Sequence, residues 1–170
     1  MKKACYVLRA QPFHLGHLKV IEWILKKSEK IIIVIGSSQE SFTHENPFTF
    51  EERKKMIDNT LKSEGIGRDR YEIIGIPDVY NGKLWAESIL SKVKFDVVYT
   101  RNPWTKRCFD LFKIPVKEHP MFGENSGKNI RKRIEQGKGW KDLVHKEVSK
   151  IIEKIDMKKR LSVRVDRRLH

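Results

Sequence analysis

The chain has 170 residues, 39% of them hydrophobic, and a formal net charge of +14 from 36 Lys and Arg against 22 Asp and Glu. That length and apolar content suit one domain with its own core, exclude a disordered chain, and contain no run near the about 20 apolar residues of a membrane span. Met1-Lys2-Lys3 leads into a strand pattern with no signal-peptide cleavage site, and Cys5 and Cys108 have no metal-ligand spacing, so a cytoplasmic location is expected.

In chain order, residues 4–8 read as a first strand. A turn, Arg9-Ala10-Gln11-Pro12-Phe13-His14-Leu15-Gly16-His17, opens into a helix over 18–27. On that helix Leu18, Ile21 and Leu25 share one face, and Lys19, Glu22 and Lys26 the other. Residues 31–35 are all β-branched, which marks a strand buried on both faces. Gly36-Ser37-Ser38-Gln39 ends it, and a polar loop follows through 42–47. Thr49 caps a helix over 50–61, with Glu52 completing a capping box. Gly65 and Gly67 stop that helix. A strand over 71–76 ends at Pro77, and a helix over 84–93 precedes a strand over 96–100. After Arg101-Asn102-Pro103-Trp104, residues 108–112 read as helix, 114–116 as a short strand and 129–136 as helix. Val144, Val148, Ile151, Ile152 and Ile155 form a strong apolar helical stripe. Strands alternating with helices predict an α/β protein with a doubly wound, mostly parallel sheet and helices on both faces. One domain over 1–156 is expected, with a basic tail over 157–170. There, alternating Leu161, Val163 and Val165 fit an edge strand, an oligomer contact or a frayed end.

Polar groups collect at the strand ends. Arg9, Gln11, His14 and His17 follow the first strand, and Ser37, Ser38 and Gln39 the second. Asp78, Asn81 and Trp85 follow the third, and Arg101 and Asn102 the fourth. In a doubly wound sheet these ends converge on one crevice. A strand, a tight turn and a helix N-terminus together bind phosphate. Two imidazoles three residues apart can face one anion, and Arg9 can hold phosphate bidentately. Ser126-Gly127-Lys128-Asn129-Ile130-Arg131 offers a second anion-binding helix start. Each residue also has a plainer reading. Either histidine alone is a cap or surface group, Trp85 is core beside Ile89, Asp78 is a turn residue and Ser126 an N-cap. Arg131 beside Lys128, Lys132 and Arg133 is a solvated face, and His44 is surface. The charge suits polyanions without choosing among them, and no nucleic-acid module is present.

His14-Leu15-Gly16-His17 resembles the HxGH signature of the nucleotidyltransferase superfamily. Further segments stand in the matching order: Gly36-Ser37-Ser38-Gln39, Asn46-Pro47-Phe48-Thr49, Ile76-Pro77-Asp78, Leu84-Trp85, Phe95-Asp96-Val97-Val98-Tyr99, Asn102-Pro103 and Ser126-Gly127 with Ile130-Arg131. Together, over nearly the whole chain to about Ile155, they resemble the archaeal-type nicotinamide mononucleotide (NMN) adenylyltransferases. The resemblance implies a Rossmann-like nucleotidyltransferase fold. It implies adenylyl transfer from ATP to the 5′-phosphate of NMN, or of its nicotinic acid form, giving NAD and pyrophosphate. It assigns catalysis to His14, His17, Arg9 and Arg131, and ATP binding to these with Asn102 and Ser126; Lys128, at the same helix start, is expected to add a direct charge toward ATP. The resemblance places Asp78 beside the mononucleotide and stacks Trp85 on the nicotinamide ring; Ser38, Gln39 and Asn81, at the same strand ends, are expected to bind the mononucleotide with them. It also implies Mg²⁺ or another divalent cation carried with ATP on phosphate oxygens and water, and a homo-oligomer, with a hexamer as the size similar proteins adopt. Neither a membrane nor nucleic acid is an expected partner.

Two segments depart from the family pattern. Its first loop reads Gly-Arg-Phe-Gln-Pro, and here Leu8-Arg9-Ala10-Gln11-Pro12 stands instead. Leu8 therefore puts a side chain where close backbone approach to phosphate is expected. Lys128 stands where Thr or Ser follows Ser-Gly. Two rivals stay open on these residues: an HxGH nucleotidyltransferase with another acceptor, and a nucleotide-binding paralogue with weakened catalysis.

Overall fold

Alternation along two central strands divides the interior into two layers. In the computed structural model, which describes residues 2–166, the first strand is β1 (Lys3–Leu8) and the second β2 (Lys30–Ile35). Ala4, Tyr6 and Leu8 of β1 join Ile31, Ile33 and Ile35 of β2 on one face, while Cys5, Ile32 and Val34 point to the other. This is the period of two that a sheet covered on both sides requires. β3 (Tyr71–Gly75), β4 (Val97–Tyr99) and β5 (Val116–Lys117) complete a five-stranded sheet in the order β3-β2-β1-β4-β5, and every pairing is parallel.

The helices follow from this order. α1 (Leu15–Leu25), α2 (Phe50–Ser63), α5 (Gly127–Glu135), α6 (Lys146–Glu153) and α7 (Met157–Leu161) cover the first face. α3 (Gly82–Leu90) and α4 (Pro103–Asp110) cover the second, through Trp85, Ala86 and Ile89 against Cys108 and Phe109. The chain runs outward from β1 to β3, then returns to the opposite side of β1 for β4 and β5. That reversal places a crevice beyond the carboxyl end of β1, where ligands of such sheets sit.

The expected elements form with shifted ends, and three readings need correction. The helix expected at 108–112 is α4 and starts at Pro103, because Asn102 caps it and proline is favourable in a first turn. Residues 157–161, read as the start of a tail, form α7, whose Met157 and Leu161 are buried in the main core. No strand forms among the described residues after 157; residues 167–170 of the expected tail lie outside the described chain. His44, read as surface, is tied at both ends. Its amide donates to the Val163 carbonyl at 2.7 Å, and its Nε2 lies 2.9 Å from Glu135 Oε2.

Candidate active site

The first loop and the start of α1 form an unusual cap. His14 is the N-cap residue, and its Nδ1 accepts from the amides of Gly16 at 3.1 Å and His17 at 3.4 Å. His17 returns the bond, its Nδ1 accepting from the His14 amide at 3.2 Å. This is a capping box built from two histidines instead of Ser or Thr with Glu. The rings stack with centroids 3.6 Å apart, and Phe13 stacks on the outer side of His17 at 5.6 Å. Gly16 is required here, since a Cβ on it would lie 2.9 Å from His14 Cε1.

The cap sets the protonation state. Both Nδ1 atoms accept from backbone N–H, so the tautomer assigned from these bonds carries its proton on Nε2. Burial pushes His14 from the usual 6.5 down to about 4. Burial, with the charges of His14 and His119, pushes His17 well below its ordinary range. At neutral pH the pair is therefore two neutral Nε2–H donors, not two cations. Three amides of this helix start, those of His14, Gly16 and His17, are already bonded to imidazole Nδ1 atoms, so a phosphate meets imidazole in their place.

Fixed positive charge comes from arginines. Arg9 is exposed beside this cap. Arg131, half-buried on α5, donates from Nη1 to the Gln11 carbonyl at 2.7 Å, which ties α5 to the first loop. Burial and the Arg9 charge both push the Arg131 guanidinium down, while Glu45 opposes them, so Arg9 and Arg131 share one neighbourhood. Gly127 permits the approach, because a Cβ there would lie 2.9 Å from the Gln11 carbonyl oxygen. Ser126 caps α5 by accepting from the Asn129 amide at 3.1 Å, which leaves its hydroxyl hydrogen available. Lys128 follows in the exposed first turn. Leu8 does not enter this space; it is buried in the main core. Ala10 is also buried, with its backbone at φ 56°.

A second cluster joins the ends of β2 and β3. Ser37 Oγ donates to Asp78 Oδ1 at 2.9 Å, Gln39 Nε2 to Asp78 Oδ2 at 2.9 Å, and the Asp78 amide to Gln39 Oε1 at 3.0 Å. Ser38 is half-buried, with its amide on the Ile76 carbonyl. Asn81 and Asn102 are the N-caps of α3 and α4, and each keeps its side-chain NH₂ for other partners. Trp85 is only 4% exposed, edge-on to Phe109 and to Trp104, whose ring centroid lies 4.8 Å away. Trp104 is 41% exposed and presents the open aromatic surface at this rim. Cys5 and Cys108 are buried free thiols.

Two residues escaped the reading of the sequence. His119, at the end of β5, packs edge-on to Tyr6, and its Nδ1 donates to the Pro120 carbonyl at 2.9 Å. Its place at a strand end was the available signal. Arg53 is fully buried beneath both loops. It begins the buried stripe 53, 56, 57, 60, 61 of α2, and a charge inside an apolar stripe marks a residue with another task.

A parallel α/β sheet with phosphate-directed donors gathered at its topological reversal defines a nucleotide-handling protein. Residues 9–154 match the family model described as Cytidylyltransferase-like. The nicotinamide-nucleotide adenylyltransferase of Saccharolobus solfataricus is 42% identical over 164 residues, 95% of either chain. That of Archaeoglobus fulgidus is 42% identical over 166 residues, 94% of this chain and 95% of its own. The chain belongs to this adenylyltransferase family. A crystal structure of a bifunctional NMN adenylyltransferase/ADP ribose pyrophosphatase from Francisella tularensis, complexed with AMP and a manganese ion, superposes with a TM-score of 0.82 at 23% identity. It covers 94% of this chain, which spans 51% of that longer one, and the likeness is one of fold.

Proposed function

We propose that the chain transfers the adenylyl group of ATP to the 5′-phosphate of NMN, forming NAD and releasing pyrophosphate. The observation that carries this reading is the stacked pair of neutral imidazoles at the start of α1, flanked by Arg9 and Arg131. The acceptor phosphate is already an anion and needs no general base. Its oxygen attacks the α-phosphorus in line, a new P–O bond forms, and the bond to the β-phosphate oxygen breaks. Pyrophosphate leaves with that electron pair. The barrier is repulsion between like-charged groups and charge gathering on the leaving group, so positioning and electrostatics do the catalysis. His14 and His17 donate Nε2–H bonds to the transferring phosphates without giving up a proton. Arg9 and Arg131 supply full charges, Ser126 donates its hydroxyl hydrogen, and Lys128 adds an amine.

In this reading a divalent cation, Mg²⁺, arrives as part of the nucleotide substrate. The described residues contain no group of three His, Cys, Asp or Glu side chains suited to a metal ion. Phosphate oxygens and water would therefore be its ligands. At the other end, Ser38, Gln39, Asp78 and Asn81 face the mononucleotide, and Asn102 the adenosine half. Trp85 and Trp104 form an aromatic wall for the cationic nicotinamide ring, which an indole face attracts. A homo-oligomer, with a hexamer as the size to test, and a cytoplasmic location belong to the same proposal. No described helix is long and apolar enough to cross a membrane.

The near-complete burial of Trp85 favours a second reading, transfer to a different acceptor phosphate. Pyrophosphate release from ATP, measured with NMN, with nicotinic acid mononucleotide and with a non-aromatic sugar phosphate, separates the two. The proposal expects turnover with one or both pyridine mononucleotides and none with the sugar phosphate. Equal turnover with all three would contradict it.

A further inference from the structure

Arg53 makes five hydrogen bonds, and every one ends on a backbone carbonyl. Nε donates to Thr49 at 3.2 Å, within its own helix. Nη1 donates to Arg9 and to Gly36, both at 3.0 Å, and Nη2 to Ser37 at 3.2 Å and Glu40 at 3.3 Å. One guanidinium thus spans the loop after β1 and the loop after β2. Among the described residues no carboxylate forms an ion pair with it, and burial together with the Arg9 charge pushes it down to about 10, against the more distant charges of Asp78, Glu40 and Glu52. A buried guanidinium without a contacting anion is costly, and an apolar side chain would fill this place in the α2 stripe at lower cost. Core packing therefore does not account for it.

The carbonyls it holds do account for it. Arg9 precedes Ala10 at φ 56°, and Ser37 itself lies at φ 48°. Both are non-glycine residues in the left-handed region, a conformation that persists only where surroundings enforce it. The first of these loops carries Arg9 and His14. The second carries Ser37 and Gln39, which grip Asp78. α2 is itself secured: Glu52 closes the Thr49 cap and pairs with Arg160 at 2.6 and 3.1 Å.

We propose that Arg53 is a positioning residue that holds the phosphate loop and the mononucleotide loop in register for transfer. The proposal rests on the adenylyl-transfer reading above. It requires a planar fork: a lysine keeps the charge but donates from one point and cannot bridge four carbonyls on two loops.

The test is Arg53→Lys in the full chain, with turnover normalised to the folded fraction from near-UV circular dichroism. The expected result is a fall in kcat of at least tenfold, larger than any rise in KM for ATP or NMN, because misplaced reactants lose attack geometry more than binding. Backbone amides of Ser38 and Glu40, hydrogen-bonded to Ile76 and Ser37, should exchange with deuterium at least tenfold faster than in the parent. Turnover per folded molecule within twofold of the parent, or unchanged exchange at both amides, would overturn the proposal. Should Arg53→Lys fail to fold, the Arg53 Nη–H signals of the parent decide, because Nη1 and Nη2 make the bonds to both loops. Slow exchange with solvent, kept when a non-hydrolysable ATP analogue binds, supports the bridge, and fast exchange refutes it. If the parent makes no pyrophosphate with either mononucleotide, the functional reading fails, while amide exchange still judges Arg53.

Discussion

His14 and His17 each spend Nδ1 on the fold, which leaves Nε2 for the role proposed in transfer. Asparagine places an oxygen near Nδ1, while glutamine reaches nearer to Nε2, so the two uses can be separated. We expect His17→Asn to keep the helix cap and lower turnover about 10²-fold, with ATP affinity within about threefold, as for a lost transition-state donor. His17→Gln should retain more turnover and lose more stability; the reverse order would remove His17 from the reaction. The depressed value of His14 also has a sign. Its folded form binds a proton near 4 and the free side chain near 6.5. Its contribution, about 3 kcal/mol, is complete above pH 6.5 and is lost as pH falls toward 4. Urea unfolding at pH 7, 5.5 and 4.5 should show that decline, with a shallower one in His14→Asn; a flat profile would contradict the buried neutral state. The HxGH residues stood out in the sequence, and a capping role was open to either one alone; the reciprocal box between the two was not legible, because histidine is not a usual partner in that motif. Trp85 was visible as an aromatic group at a strand end. Its spacing with Ile89 offered burial as the plainer reading, but its contact with Trp104 depends on α4 packing beside α3, which no local pattern encodes.

Among the elements, those with strong periodicity were legible. The β-branched run of β2 and the Thr49–Glu52 box of α2 form as read, and the late stripe forms in α6 at Val148, Ile151 and Ile152, with Val144 and Ile155 outside that helix. α7 was not legible, because only Met157 and Leu161 of its five residues are buried, too few to show a helical period. It matters to the site through Arg160, which pairs with Glu52, donates to the Pro47 carbonyl at 3.0 Å and lies over the Phe42 ring at 4.6 Å. Burial disfavours the Glu52 carboxylate, yet the Arg160 and Thr49 hydrogen bonds prevail and hold it below the usual range. Arg160→Ala should cost about 2 kcal/mol, the scale of a half-buried charged hydrogen-bond pair. Chemical denaturation measures that loss, and an unchanged midpoint would show the C-terminal helix to be dispensable for α2.

For the whole molecule, the decisive arrangement is a sheet reversal at which the Arg9 charge lies close enough to push down both Arg53 and Arg131. Such crowding of like charge is relieved by an anion, and the formal net charge of +14 draws anions toward the protein. Composition pointed to an anionic ligand; only the topology shows where these guanidiniums meet. Direct transfer at that place is best tested with ATP labelled at the α-phosphorus, NMN and Mg²⁺. The account predicts that all transferred label appears in NAD, with one pyrophosphate per NAD and none on the protein. Label released as AMP, label retained covalently on the chain, or pyrophosphate formed without NMN would contradict it.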